Sequence, residues 1–302
     1  MSALVRPDVA RPHFLMCRPE HFGVIYSINP WMNPTGWARD QQALAAASHR
    51  EWARLHRKLL DLGAAVELVP PAAGLPDLVF TANSAIVLDR TALLARFRHP
   101  ERQPEEAHFE AAVRRLQCHG VIDAVIKPPE GLSLEGAGDC VFDQTRGLFW
   151  MGHGPRSDRR AQAVVADTFG VEVVALELAD PRFYHMDTAL GALPGGEVMY
   201  IPGAFTAAGR AEIEARVAAH DRIAIAEKDA IGLAANTVCV GRDLVMPTCG
   251  ARLRADLGDR GYRVHIVPLP SFLRSGGAAF CLTLRLDRQS GGAGSVQKVA
   301  IA

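Results

Sequence analysis

The sequence contains no run of about eighteen apolar residues, so nothing in it reads as a membrane-spanning helix. Met1 to His13 mixes Arg6, Asp8, Arg11 and two prolines where a secretion signal needs an apolar stretch, and a cytoplasmic location is expected. Net charge is also missing: 33 basic side chains balance 33 acidic ones. That excludes the whole-chain electrostatic footprint of a nucleic-acid binder. Paired cysteines are absent as well. Cys17, Cys118, Cys140, Cys239, Cys249 and Cys281 form no C-x-x-C pair, and 302 residues can bury a full core without disulfides, so all six read as reduced thiols. The eleven histidines show no H-x-x-x-H or H-E-x-x-H spacing, and no cysteine cluster matches a zinc site. There is no P-loop lysine pattern and no G-x-S-x-G, while Gly136-Ala137-Gly138 lacks the third glycine and the helix start of a dinucleotide fingerprint. With neither metal nor organic cofactor implied, a metal-free thiol enzyme is the reading that survives.

What is present is a repeated plan. Hydrophobic period separates helices from strands. The helices expected are Asp40 to Leu62, Glu106 to Leu116, Arg159 to Phe169, Ala207 to Ala219 and Ala251 to Leu257, the last with Gly258 and Gly261 behind it. Strands are expected after them at Ala65 to Val69, Val121 to Ile126, Val171 to Leu176, Asp221 to Ile225 and Arg263 to Val267. Others fall between the units at Ser84 to Leu88, Thr91 to Ala95, Gly147 to Met151, Glu197 to Ile201, Val238 to Val240 and Asp243 to Met246. Ala85 to Asp89 and Thr91 to Ala95, split by Arg90, read as a hairpin. Five strand-rich units with one helix each make an internal architectural repeat rather than a βα alternation. Residues 1–13 are expected to be an N-terminal extension, 14–288 a single domain, and 289–302 a loosely attached tail.

Four strings carry candidate chemistry. In Ser275-Gly276-Gly277-Ala278-Ala279-Phe280-Cys281, a glycine turn leads a cysteine toward an apolar strand, where its thiol could face a cleft. Alone it reads more readily as a small core residue. In Tyr184-His185-Met186-Asp187-Thr188, an extended backbone would point His185 and Asp187 to one face. A histidine satisfied by a neighbouring carboxylate is the plainer reading, yet a Cys and a His together are the minimum for a thiol nucleophile with a proton shuttle. Leu134-Glu135-Gly136-Ala137-Gly138-Asp139 and Asp77-Leu78-Val79-Phe80-Thr81-Ala82-Asn83 set acids and amides among apolar residues, where a carboxylate is costly unless paired.

In this order, from about Phe14 to Leu286, the four strings resemble the guanidine-modifying superfamily of arginine deiminases, dimethylargininases and glycine amidinotransferases. Ile28-Asn29-Pro30-Trp31-Met32 and Phe183-Tyr184-His185 are most similar to the branch with dimethylargininase-like proteins and cyanobacterial-type arginine dihydrolases. The resemblance implies an α/β fold, a five-bladed ββαβ propeller of the pentein type, with substrate at its axis. It implies a catalytic trio of Cys281 as nucleophile, His185 as proton carrier and Glu135, and acids such as Asp187 and Glu135 suit a clamp for the cation. Arg96, Arg98 and Arg156 match positions that bind the substrate carboxylate. Asp139 and the amides Asn83 and Asn29 complete the expected binding set, although Asn29 before Pro30 is as readily a turn starter.

A guanidinium is planar, always charged and forked, so a pocket for it wants acids. A thiolate can attack its central carbon, and the thiouronium that remains is hydrolysed by water that His185 activates. The deiminases carry an aspartate where this chain has Asn83. An amide can donate to a ureido oxygen and a carboxylate cannot, so a site tolerating both groups could hydrolyse arginine twice, giving ornithine, carbon dioxide and ammonia. Arginine dihydrolase is therefore the leading expectation, with dimethylargininase and then amidinotransferase behind it. The expected partner is a small-molecule guanidino amino acid, with no nucleic acid and no membrane, and a homo-oligomer is left open.

Overall fold

The computed structural model describes residues 11–291. These form five three-stranded sheets of one plan: an inner strand pairs antiparallel with a middle strand, a helix follows, and an outer strand returns parallel to the middle one. The first blade holds Ala85–Leu88, Thr91–Leu94 and Ala124–Ile126 around helix Glu105–Cys118. The second has Cys140–Asp143, Leu148–His153 and Glu172–Glu177 around helix Ala161–Phe169. Leu190–Ala192, Val198–Tyr200 and Arg222–Ala224 make the third, with helix Ala207–Arg216. In the fourth, Val238–Val240, Asp243–Met246 and Arg263–Ile266 flank helix Ala251–Asp259.

The fifth blade closes the ring. Its inner strand, Leu284–Arg285, comes from the far end of the described chain and pairs antiparallel with His13–Cys17, which pairs parallel with Ala65–Val69 beyond helix Gln41–Asp61. The resemblance's five-bladed ββαβ propeller is thus the fold. The parallel pairs need a crossover, and each helix supplies one while burying its apolar stripe, as Trp52, Leu55 and Leu59 do on the fifth-blade helix. Inner strands buried along their length show no alternation: Ala85–Leu88 is a continuous apolar run, and Cys140–Asp143 is apolar up to its last residue.

Several expectations need correction. His13, assigned to an extension, is the first residue of a strand and pairs with Ala65. At the other boundary Ser290 of the expected tail donates its N–H and its hydroxyl to the Asp89 carboxylate; residues 1–10 and 292–302 lie outside the described residues. The hairpin turn comprises both Asp89 (φ 48°) and Arg90 (φ 60°), because a tight turn that follows strand twist needs two left-handed residues. Gly258 sits inside its helix, and Gly261 (φ 82°) makes the reversal. Cys281 lies in a turn three residues before the inner strand. His185 and Asp187 do not share an extended run either. His185 is extended, but Asp187 is in the helical turn Met186–Ala189, so they reach the site by a change of direction instead of alternation.

Candidate active site

The segment just before each inner strand brings its polar residue to the axis: Asn83 before Ala85, Glu135 and Asp139 before Cys140, His185 and Asp187 before Leu190, Asn236 before Val238, and Cys281 before Leu284. They recur at intervals of about fifty residues, so the repeat that builds the ring also builds the site. Ala82 N–H donates to the Cys281 carbonyl at 3.1 Å, joining the fifth blade to the first beside the thiol.

A cavity at this axis is lined by Ile28, Asn29, Met32, Asp77, Asn83, Arg102, Arg156, Tyr184, His185 and Cys281, among others. Its free volume, about 10 Å³, is roughly what one water needs. Gly276 and Gly277 let the chain pass here. Gly276 has φ 81°, and a Cβ on Gly277 would stand 2.4 Å from the Phe80 ring.

The Cys281 thiol donates to Asp187 Oδ2 at 3.0 Å. Burial and the adjoining Asp187 carboxylate push that thiol well above its ordinary value, so it is neutral without a ligand. Asp187 is itself raised by burial to about 7, with Oδ1 buried and unpartnered. An acceptor in that state suits a forked cation. His185 Nε2 lies 2.8 Å from Glu135 Oε2, which places the proton on Nε2 and leaves Nδ1 as the base. Burial lowers His185 to about 4 despite the Glu135 charge.

Glu135 is at the centre of a buried network. Its Oε2 also accepts from Arg156 Nη1 at 3.1 Å, and Oε1 accepts from the Arg98 N–H at 3.2 Å. Burial alone would raise it, but Arg156 and His185 outweigh burial and hold it far below the usual carboxylate range. Its oxygens are committed, so Glu135 orients the imidazole and is not a free arm of a guanidinium clamp. Arg156 also donates to the Ile28 carbonyl at 3.2 Å and stacks 4.6 Å over Tyr184.

Asn83 donates Nδ2–H to the Glu135 carbonyl at 3.1 Å and accepts at Oδ1 from Arg102 Nη1 at 3.0 Å. Asn29 lines the cavity and also makes the expected turn. Its Oδ1 accepts from the Trp31 N–H at 2.9 Å while Nδ2 donates to the Ser275 carbonyl at 3.0 Å. Two expected site residues fall elsewhere. Arg96 and Arg98 line a separate cleft of about 640 Å³, where Arg98 donates to the Gly154 carbonyl at 2.6 Å. Arg98 reaches the site through its backbone N–H, which donates to Glu135 Oε1 at 3.2 Å. Asp139 reaches the axis but is raised by burial and its oxygens are committed, accepting from Ser157 Oγ at 2.5 Å and from the Met186 N–H at 3.2 Å. It anchors the turn that carries His185 and Asp187.

Sequence reasoning missed Arg102 and Asn236. Arg102, buried against Glu105 at 2.8 Å, gives the cavity a second guanidinium. It had no local signal, being one of many arginines. Asn236 did have one: Ala235-Asn236-Thr237 in the fourth blade echoes Ala82-Asn83-Ser84 in the first.

A family model described as eukaryotic N,N dimethylarginine dimethylhydrolase matches residues 18–285. The bifunctional arginine dihydrolase/ornithine cyclodeaminase ArgZ of Synechocystis sp. is 40% identical over 272 residues, which is 90% of this chain but 37% of that protein. The chain thus spans well under half of that relative. The N(G),N(G)-dimethylarginine dimethylaminohydrolase of Mycobacterium tuberculosis is 36% identical over 273 residues, covering 90% of this chain and 85% of that protein. Among solved structures, the N-terminal domain of ArgZ bound to substrate, from the cyanobacterial ornithine-ammonia cycle, superposes with a TM-score of 0.85 at 37% identity over 92% of this chain and 99% of that one. With the ring, its axial site and these likenesses in agreement, the chain belongs to the N,N-dimethylarginine dimethylhydrolase family of the guanidine-modifying superfamily.

Proposed function

We propose that the chain hydrolyses the guanidino group of arginine in two rounds, releasing ornithine, carbon dioxide and ammonia, with Cys281 as nucleophile. The observation that carries this reading is the buried quartet of Cys281, Asp187, His185 and Glu135, facing a neutral Asn83. Asp187 takes the guanidinium fork at its unpartnered oxygen, and the cation's charge favours ionisation of the adjoining thiol. The thiol's proton passes to His185 Nδ1 and sulfur attacks the central carbon; the amine leaves with that proton, and water deprotonated at the freed Nδ1 cleaves the thiouronium. Glu135 holds the imidazole in the required tautomer. Arg102 and Arg156 are the cations available to an α-carboxylate, in place of Arg96 and Arg98. Admission of an amino acid requires the side chains around the present cavity, including Ile28, Asn29 and Met32, to move apart.

The family match and the mycobacterial relative favour a second reading, demethylamination of dimethylarginine to citrulline. The test is incubation of the pure protein with arginine, citrulline, dimethylarginine, and arginine plus glycine, with products resolved by mass spectrometry. Ornithine from arginine supports the first reading; citrulline and dimethylamine from dimethylarginine alone support the second. Action in the cytoplasm fits six cysteines that are all unpaired.

A further inference from the structure

Fourth-blade Asn236 spends its whole hydrogen-bonding capacity on the nucleophile turn and its partner. Oδ1 accepts the N–H groups of Phe280 at 2.9 Å and Cys281 at 3.2 Å. Nδ2 donates to the Asp187 carbonyl at 3.2 Å and to Cys281 Sγ at 3.0 Å. The two backbone donors fix which end of the amide faces the sulfur, because the reverse orientation would set donor against donor. Asn236 is completely buried, so no bulk water substitutes for it.

We propose that Asn236 is the thiolate-supporting residue of this enzyme: its carbonyl fixes the Cys281 turn and its amide N–H holds the sulfur as charge develops there. The inference rests on Cys281 being the nucleophile. Among the described residues the sulfur has two hydrogen-bond partners, Asp187 and Asn236. Ionisation turns the contact with Asp187 from a hydrogen bond into a repulsion of like charges, whereas the donor from Asn236 strengthens as its acceptor gains charge. An amide does not titrate, so this donor is present at every working pH.

Two variants separate the roles. Asn236→Asp keeps an oxygen for the two backbone N–H groups and removes the donor to sulfur, while Asn236→Ala removes both. The measurement is the rate at which iodoacetamide alkylates Cys281, read on its peptide by mass spectrometry from pH 6 to 10 without substrate, alongside kcat, KM and melting temperature. Loss of a hydrogen bond to a charged sulfur corresponds to a rise of about one pKa unit, so both variants should alkylate about tenfold more slowly at each pH below the thiol's ionisation. On the substrate the parent turns over, kcat should fall at least as far and KM should change less than threefold. A folded variant that alkylates at the parental rate overturns the proposal, even with reduced kcat, since that pattern marks a purely structural role. Should the alanine variant fail to fold, the aspartate variant decides. Alkylation needs no guanidine, so a parent inactive on every substrate would refute the proposed function and leave this result standing.

Discussion

Replacing Glu135 with glutamine tests the centre of the network with almost no change of shape. The carboxylate receives three donors: Arg156 Nη1 and His185 Nε2 at one oxygen, and the Arg98 N–H at the other. Glutamine has one oxygen and one NH2, so either orientation turns a donor toward a donor. In either orientation the Arg156 guanidinium loses its counter-charge; in addition, an NH2 facing Arg98 leaves a backbone N–H buried without an acceptor, and an NH2 facing Arg156 and His185 meets their donors. The Glu135 and Arg156 side chains are 0% and 2% exposed, so solvent cannot repair either loss. Breaking a buried pair from one side costs about 3–5 kcal/mol, and the oxygen that survives should hold the loss near the lower end, about 3 kcal/mol. For a chain of this size that is a fall in melting temperature of about 5–10 °C. The tautomer is released at the same time, and kcat should drop by about two to four orders of magnitude. Because Arg156 and His185 keep Glu135 ionised far below neutrality, parent and variant should differ equally from pH 5 to 8. The assays are differential scanning fluorimetry and steady-state kinetics over that range. A variant melting within about 2 °C of the parent, with kcat within threefold, would refute the reasoning.

Cys281→Ala should abolish turnover while the protein stays folded, and substrate trapping in the parent should add mass at Cys281 and at none of the other five cysteines; measurable activity in the variant sinks the mechanism. Asn83→Asp sets a carboxylate oxygen against the Glu135 carbonyl where an N–H now donates at 3.1 Å, offset in part by Arg102. At a cost on the order of 1–3 kcal/mol to a ureido intermediate, citrulline should replace ornithine as the main product of arginine, and an unchanged ratio would discard the role given to Asn83. Burial raises Asp187 to about 7, and its neutral form cannot grip a cation, so kcat/KM should fall about tenfold per unit as pH drops below that value. A profile flat down to pH 5.5 would contradict this. Gly277→Ala, with its Cβ 2.4 Å from the Phe80 ring, should destabilise the fold by about 1–3 kcal/mol in urea unfolding, and a neutral effect would mean that the turn has slack.

Much of this molecule was legible in the chain because its information is periodic and local. Helix stripes, apolar strands and glycine stops marked five units, and the strings at Asn83, Glu135, His185 and Cys281 marked where four of them meet the axis. Two inner strands were hidden from that reading: Cys140–Asp143, whose burial on both faces erases alternation, and Leu190–Ala192, which is only three residues long. The role of His13–Cys17 was hidden for another reason: it forms the middle strand of a blade completed only by Leu284–Arg285, some 270 residues away. Tertiary structure alone decided which charges meet. Five blades converging on one axis set Glu135 between Arg156 and His185, sent Arg96 and Arg98 to an outer cleft, put Arg102 in the cavity, and brought Asn236 to the sulfur. Sequence spacing fixes residue type and position along a strand, but the direction of a side chain and the burial that shifts its pKa depend on neighbours from other blades, which no local pattern encodes.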